Sequence, residues 1–356
     1  MFRVSHAVLH SFDFEEGSLC LSQRELDLSE RAVRSYVTRR MRSVTESPES
    51  RRGTFREGAA LAASLAQLAD GSLSLMDLSR QVAEYLFDEL RHCDEAEQAD
   101  LLVARYSDTG TLRDQAVHAE GEDGPGSEAP DARDLVGFVL LPRRKAFVHE
   151  LDSDADGMAD NQILRQDSAL PNPTQKADTY VVVDLRSMAI EFRDRDRLSG
   201  GTARQVVAEG LLQCDATASS REAMEEVERI VGDVAEECGA NPAVAVAHAK
   251  ACMAEAAEEG ESFSPGEVGS RIFEDQPRMR KRYQEEARAA DLPEEVPVRR
   301  GAANRMAKSH HIRTDTGIDI TFPSTYATDT DHIEFTREAD GSVRITIKNV
   351  GSIESR

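Results

Sequence analysis

Two segments of this chain, 135–141 and 179–185, are almost continuously apolar. A strand with one face in water alternates between apolar and polar residues, whereas a run of Val and Leu is typical of a strand buried on both faces. A sheet of such strands needs helices packed against both of its sides. Together with amphipathic segments elsewhere, this requirement predicts an α+β fold with a mixed β-sheet, helical blocks and a C-terminal β-hairpin.

Local periodicity predicts the other elements. Apolar residues recur every three or four positions in the helical segments and every second position in the half-buried strands. Residues 47–53 contain Pro48 and Gly53 and are predicted to form a loop. The strands at 135–141 and 146–151 are expected to pair with those at 179–185 and 189–192. The predicted helices are 29–44, 56–69 and 74–92, and the remaining predicted strands are 3–10, 18–21, 101–106 and 317–322.

Helix starts and the closing hairpin carry sharper signals. Segments 219–222 and 264–267 both read Ser-x-x-Glu, the capping-box pattern in which each side chain binds the other residue's backbone N–H. The dipeptide Asp340-Gly341 lies between two alternating apolar runs, which predicts a tight β-hairpin. The helical blocks and the terminal β region are therefore separate parts of the chain.

The 356 residues are enough for two or three domains. One stretch, 120–131, is acidic and rich in Gly and Pro, and we interpret it as part of a flexible surface loop. The predicted organisation is an N-terminal strand plus a helical region with a basic face at 1–107, an acidic loop at 108–133, a β-rich middle region at 134–202, a helical region at 203–308 and a C-terminal β region at 309–356.

Cysteine spacing and hydropathy indicate the cellular compartment in which this protein is expected. The five cysteines are widely spaced and form no Cys-x-x-Cys motif, which is typical of reduced thiols in a cytosolic protein. No apolar run approaches the roughly 18 residues that a membrane span requires, and the first residues do not resemble a signal peptide. We therefore expect a cytoplasmic protein that makes no membrane contact.

The order of several short motifs matches a known family. The opening strand Ala7–His10, the helix end Tyr85–Leu90, the middle strand Val136–Leu141 and the terminal segments Gly317–Phe322 and Ile345–Lys348 occur in sequence. In this order they resemble the bacterial 37-kDa nucleoid-associated protein family. The resemblance implies a cytoplasmic protein recovered with the nucleoid. It supplies no catalytic residues, so no enzymatic activity is expected.

Arginine clusters are the candidate DNA contacts. The formal net charge of −23 repels nucleic acid on average, so any DNA contact has to be local or made with a partner. Guanidinium groups bind phosphate bidentately. The alternative is a solvated helix face that forms salt bridges within an acidic protein. The first predicted patch comprises Arg31, Arg34, Arg39 and Arg42 on the helix at 29–44, followed by Arg51, Arg52 and Arg56.

A second basic cluster comprises Arg278, Arg280, Lys281 and Arg282. Tyr283 follows directly, and a basic group beside an exposed aromatic ring can hold a single strand by charge and stacking. Acidic residues flank the cluster on both sides, which favours internal ion pairs instead.

Alternating acids form the one candidate metal site, at Asp152, Asp154, Asp156 and Asp160. Their spacing resembles the first half of an EF-hand loop, in which carboxylates converge on Ca²⁺ or Mg²⁺. The twelfth position of such a loop requires a bidentate Glu, and here it is Ile163. An acidic surface turn is the alternative interpretation.

Two further motifs have structural and functional interpretations. The turn 199–202 reads Ser-Gly-Gly-Thr before a predicted helix, where free backbone N–H groups could hold an anion, although a simple helix entry is the plainer interpretation. His6 and His10 are four residues apart on a predicted strand, which favours packed histidines over a zinc pair.

Three functions are consistent with these patterns. The first is a non-enzymatic nucleoid-associated protein that contacts DNA through arginine patches without reading sequence, as a homo-oligomer or with a basic partner. The second is an acidic adaptor that binds a DNA-handling protein and reaches DNA indirectly. The third, a metal-dependent nuclease, would rely on the aspartates at 152–160.

Overall fold

The computed structural model describes residues 1–109, 132–153, 159–260, 262–298, 310–313, 316–323, 326, 331–338 and 343–352. The chain separates into two compact units, Met1–Ala216 and Thr217–Arg356. The predicted acidic loop at 108–133 lies, apart from its two ends, outside the described residues.

An eight-stranded sheet forms the first unit, and its strand order is β12-β3-β9-β8-β5-β4-β1-β2. Every pair whose register is described is antiparallel. The predicted α+β class is confirmed, but these pairs are antiparallel where a mixed sheet was expected. The strands are β1 (Phe2–Asp13), β2 (Ser18–Cys20), β3 (Arg51–Phe55), β4 (Ala99–Asp108), β5 (Arg133–Pro142), β8 (Tyr180–Asp184), β9 (Ile190–Arg193) and β12 (Cys214–Thr217).

Helices cover both faces of this sheet, as the apolar runs predicted. Alternate residues of β4 point to opposite sides: Leu102 and Ala104 pack with α1, whereas Leu101 and Val103 pack with α2, α3 and α4. Gly137 lets α1 approach closely, since a Cβ there would lie 2.8 Å from the Met41 sulfur. The helices are α1 (Arg31–Thr45), α2 (Ala60–Asp70), α3 (Leu75–Leu90) and the π-helical turn α4 (Val206–Leu212).

Two strand predictions were wrong. Residues 51–53 belong to β3 and pair with β9 instead of forming a loop. The segment near 146–151 does not join the main sheet, because its expected partners are already paired on both sides: β8 with β5 and β9, and β9 with β8 and β3. It forms β6 (Arg144–Ser153), which pairs with a strand that periodicity did not reveal, β7 (Ala159–Ala169).

In its described residues, the second unit packs four helices around its own apolar core. Ser219 and Glu222 form the predicted capping box at the start of α5. Ser264 makes no side-chain cap at the start of α7, so the second predicted box is wrong; Pro265 fixes that start instead. None of the described helices is long and apolar enough to cross a membrane. The helices are α5 (Ser220–Glu237), α6 (Pro242–Gly260), α7 (Pro265–Ile272) and α8 (Pro277–Ala289).

Short hairpins complete the chain. The predicted terminal hairpin is confirmed, with Ile333 opposite Ile347 and Phe335 opposite Ile345. The strands are β10 (Arg197–Ser199) with β11 (Thr202–Arg204), β13 (Ser262–Phe263) with β14 (Val296–Pro297), β15 (His310–Arg313) with β16 (Asp319–Phe322), and β17 (Ile333–Arg337) with β18 (Val343–Ile347).

A buried histidine joins β1 to α3. His10 is fully buried, and its Nδ1 accepts the Ser22 N–H at 3.0 Å while Nε2 lies 2.9 Å from the Ser79 hydroxyl. That hydroxyl donates to the Met76 carbonyl, so it accepts from Nε2–H and the ring is neutral. Burial, with the nearby charge of Arg80, lowers the pKa of His10 to about 4. His10 is thus a satisfied core histidine, as its position on a strand favoured.

This depressed pKa predicts acid sensitivity. The unfolded chain binds a proton on His10 near pH 6.5 and the folded chain only near pH 4, so stability falls as the pH drops through that window. The loss amounts to about 3 kcal/mol in the free energy of unfolding. Urea unfolding between pH 7 and pH 4 should show this excess loss in the wild type relative to His10→Gln. Parallel stability curves for the two proteins would contradict the assignment.

Candidate nucleic-acid interface

Helix α1 is oriented by its apolar side. Val37, Met41 and Val44 are buried against the sheet, which turns the opposite side to solvent. At 100° per residue, the four exposed arginines predicted from the sequence fall within an arc of about 140°. The helix contains no Asp or Glu between its ends. The exposed side of α1, called here the α1 face, comprises Arg31, Arg34, Arg39 and Arg42.

The start of α1 departs from ordinary helix design. Acidic residues and a Ser, Thr, Asp or Asn cap usually stabilise a helix N-terminus. Here Glu30 precedes the helix without a side-chain cap, the first turn has no acidic residue, and Arg31 is the first helical residue. Positive charge at this end is unfavourable for the isolated helix. Within the described residues no side-chain contact of Arg31 offsets this cost, and such a departure from the usual helix start is typical of residues retained for function.

The four arginines of the α1 face differ in their contacts. Arg34 donates to the carbonyls of Leu28 and Ser29 at 2.7 and 3.1 Å, and so closes the loop that leads into the helix. The guanidinium of Arg42 lies 5.2 Å from the centre of the Phe2 ring. Arg31 and Arg39 are exposed, and within the described part of the chain neither guanidinium group forms a hydrogen bond or ion pair.

A fifth arginine of α1, Arg40, has a structural role that the sequence analysis did not predict. It is 1% exposed, and its two terminal nitrogens donate to the carbonyls of Asn172 and Gln175, each at 2.6 Å. Tyr36, which is on the same helix, donates to the Pro171 carbonyl at 2.9 Å. These bonds fasten α1 to the segment before β8. Helical spacing could have predicted this burial, since Arg40 lies on the side of the helix opposite Arg31.

Arg51 and Arg52 do not extend the α1 face. They lie on β3, where successive side chains point to opposite sides of the sheet. Arg51 is opposite Phe192 and Arg52 is opposite Glu191 in the register. The single patch predicted from the sequence is therefore divided between a helix and a strand.

Two of the four residues of the second predicted cluster, on α8, form ion pairs with acidic side chains of this chain. Arg282 forms ion pairs with Glu237 at 3.0 Å and Glu286 at 2.7 Å, and the Glu237 carboxylate raises its pKa. Lys281 lies 4.0 Å from Glu285, while Arg278 is exposed and Arg280 is half-buried.

Tyr283 is part of the core and not a stacking surface, which corrects the prediction for this cluster. It is fully buried, and its hydroxyl donates to the Pro265 carbonyl at 2.7 Å. Helix α7 packs against its ring at Gly269, where a Cβ would overlap the ring atoms. The helical period places position 283 with Met279 on the buried side of α8.

Internal carboxylates occupy the backbone N–H groups that could have held an anion. The turn at 199–202 joins β10 to β11, and the N–H groups of Gly200 and Gly201 donate to Asp94 at 2.9 and 3.1 Å. At the start of α4, Val207 and Ala208 donate in the same way to Asp194 at 2.6 and 3.1 Å. Burial raises the pKa of Asp194. Neither group of donors is free for a phosphate.

The predicted metal site falls at the end of the β6–β7 hairpin. Asp152 is opposite Asp160 in the strand register, and strands flank the segment where an EF-hand has helices. Asp154 and Asp156 lie outside the described residues. Across the part of the chain that the structure covers, no three His, Cys, Asp or Glu side chains are grouped to hold a metal ion. The calcium or magnesium site remains a prediction.

The comparison with protein families agrees with the motif order found in the sequence. A family described as nucleoid-associated protein YejK matches residues 8–354. The match spans nearly the whole chain, so the chain belongs to this family. No curated protein matches it.

The packing of Tyr283 gives a prediction about two glycines of α7. Alanine at Gly269 would overlap the buried ring and should lower the free energy of unfolding by about 1–3 kcal/mol. Alanine at Gly266, whose Cβ would have its nearest neighbour 3.8 Å away, should raise it by about 0.5–1 kcal/mol. Urea unfolding of the two variants measures this difference. Equal effects would show that Tyr283 is not packed as described.

Proposed function

We propose that this chain, a member of the nucleoid-associated protein family, contacts DNA directly through the α1 face. The contacts would be made to backbone phosphates and would carry no base-specific readout, because arginines on one rigid face reach phosphates without entering a groove.

One observation carries this proposal: Arg31, Arg34, Arg39 and Arg42 share the exposed side of a helix that contains no acid. They extend over about 16 Å along the helix axis, and a DNA duplex carries one phosphate for roughly every 1.7 Å. Several phosphates can therefore be reached at once. The anchoring bonds of Arg40 support the proposal further, since they hold the helix in place before DNA binds.

Replacing Arg31, Arg39 and Arg42 with Gln should weaken binding to a random-sequence duplex. The three side chains were chosen because Arg34 also serves the loop before the helix. Each lost phosphate contact removes about one unit from the slope of log K against log salt, so the slope should become shallower by up to about three units. Fluorescence anisotropy of a labelled duplex across a salt series measures both affinity and slope.

The matched control is a triple variant with the same change in net charge. Arg91, Arg221 and Arg229 are similarly exposed but are ion-paired to Asp88, Glu225 and Glu226, respectively. Their replacement by Gln should change the slope much less. If the two triple variants have the same slope, overall charge decides binding and the α1 face is not the contact.

The adaptor function is a second candidate, favoured by the net charge of −23. A basic DNA-handling protein would bind this acidic surface and bring the chain to DNA. Absence of wild-type binding at low salt, together with recovery of a protein partner after nuclease treatment of a lysate, would favour this candidate. Loss of every partner upon DNA digestion would count against it.

A further inference from the structure

A cleft opens at one end of the sheet of the first unit, and we call it the end cleft. Because neighbouring strands are antiparallel, the ends of β1, β5 and β9 and the starts of β4 and β8 meet there. Its volume of about 420 Å³ is within the range of pockets that hold small organic ligands. Leu90 of α3 and Leu140 line it, and both pack with the core on the α3 side, so the end cleft and α1 lie on opposite faces of the sheet.

Two arginines that line the end cleft are buried and held in fixed positions. The side chain of Arg143 is 14% exposed and donates to the Asp100 carboxylate at 3.1 Å. The side chain of Arg197 is 10% exposed; it donates to the Thr179 hydroxyl at 2.8 Å and pairs with Asp194 at 3.2 Å. A guanidinium group carries more N–H donors than these contacts use. The two aspartates balance the charge of this pair of arginines, which therefore orient a bound anion more than they attract it.

Two further arginines of the end cleft are exposed. Arg144 forms no side-chain hydrogen bond or ion pair in the part of the chain that the structure describes. The side chain of Arg195 is 40% exposed and pairs with the Glu97 carboxylate at 3.4 Å. An exposed pair of this kind contributes little to stability, so Arg195 can turn to a ligand at little cost. Guanidinium groups bind phosphate bidentately, and two adaptable arginines beside two fixed ones form a suitable arrangement for it.

The end cleft also contains an aromatic ring and hydrogen-bond acceptors. Phe14 lines it half-buried, and its ring stacks on that of Phe87 with the centroids 5.3 Å apart. Glu15 and Glu95 line it as well; both are exposed, and among the described residues neither carboxylate has a partner. Nucleobases stack on aromatic side chains, and carboxylates accept hydrogen bonds from their exocyclic amino groups. These groups match a base that bears an amino group.

A bare anion uses only part of this lining. Four arginines and four acidic residues line the end cleft, so inorganic phosphate would meet carboxylates as well as guanidinium groups. A ligand that is anionic at one end and carries hydrogen-bond donors at the other satisfies both kinds of residue. A nucleotide is such a ligand, and its ring also covers the apolar part of the wall.

We propose that the end cleft binds a nucleotide whose base carries an exocyclic amino group. The exposed arginines bind its phosphate and the fixed arginines orient it, while the base packs against Phe14 and its amino group donates to Glu15 or Glu95. A free mononucleotide and the end of a nucleic-acid strand offer this same chemistry. The proposal does not depend on DNA binding by the α1 face, which lies across the sheet.

Calorimetry with the full chain tests the class of ligand. Deoxyadenosine monophosphate should bind, and deoxyadenosine, which lacks the phosphate, should bind at least about ten-fold more weakly. Thymidine monophosphate, whose base has no amino group, should bind at least about five-fold more weakly. Absence of nucleotide binding at millimolar concentration, or equal affinity for inorganic phosphate, overturns the proposal.

Displacement of labelled deoxyadenosine monophosphate separates the two sources of the ligand. A 5′-phosphorylated single strand that displaces it at a lower concentration than the unlabelled nucleotide identifies a strand end as the ligand. Displacement only at a higher concentration identifies the free nucleotide.

Replacing Arg144 and Arg195 with Gln tests the phosphate contacts. Both side chains are exposed, so the variant should keep the far-UV circular dichroism of the wild type. Its dissociation constant for deoxyadenosine monophosphate should rise at least about ten-fold. The control is Arg56→Gln with Arg91→Gln, which makes the same change in net charge at exposed positions outside the end cleft. Equal affinity in the two variants would show that the arginines of the end cleft do not hold the phosphate.

Replacing Glu15 and Glu95 with Gln tests the contact to the base. An amide both donates and accepts, so it serves a base with or without an amino group. The preference for deoxyadenosine monophosphate over thymidine monophosphate should fall to about two-fold or less. A preference that survives this double substitution contradicts the assigned base contact.

Binding of duplex DNA distinguishes this proposal from the one made for the α1 face. The variant Arg144→Gln with Arg195→Gln should keep the wild-type slope of log K against log salt for a random-sequence duplex. If that slope becomes shallower while nucleotide affinity is unchanged, these two arginines contact duplex DNA and the nucleotide site is wrong.

Discussion

Burial of both faces of one antiparallel sheet governs the first unit. The middle strands are apolar on both sides, so a helix has to lie on each. On one side that helix is α1, and its contacts through Val37 and Met41 determine which of its residues reach solvent. The exposed arginines owe their common orientation to this packing. The packing of the core therefore determines which arginines form the candidate site. Arg40 is on the same helix but is buried, so an arginine on this helix is not necessarily exposed.

Electrostatics explains why so few cations are candidates for DNA contact. In a chain with 66 acidic and 43 basic residues, carboxylates outnumber their partners. Arg56, Arg229 and Arg282 are each held by an acidic side chain, and even the turn at Gly200 is filled by Asp94. Screening limits the opposing effect, because charges more than about 10 Å apart interact weakly at 0.1 M salt. A few unpaired arginines can therefore bind phosphate on an acidic protein.

Sequence reasoning succeeded where the signal is local and failed where it depends on neighbours. The covered sheet, helix α1, the capping box at Ser219 and the terminal hairpin were each encoded in a short pattern. The pairing of β6 was not, because it depends on β8 and β9 having both edges filled by other strands. Strand β7 was missed because its side chains from Asn161 to Ser168 are exposed on both faces and show no apolar alternation.

The candidate sites divide in the same way. Helical spacing located the exposed arginines, but adjacency in sequence placed Arg51 and Arg52 with them, whereas strand geometry separates those two residues. Tyr283 looked like a partner of its basic neighbours because they adjoin it, although the helical period assigns it to the core. Adjacency in sequence is a weak guide to a surface once the backbone is regular, since side chains turn by 100° or 180° at each step.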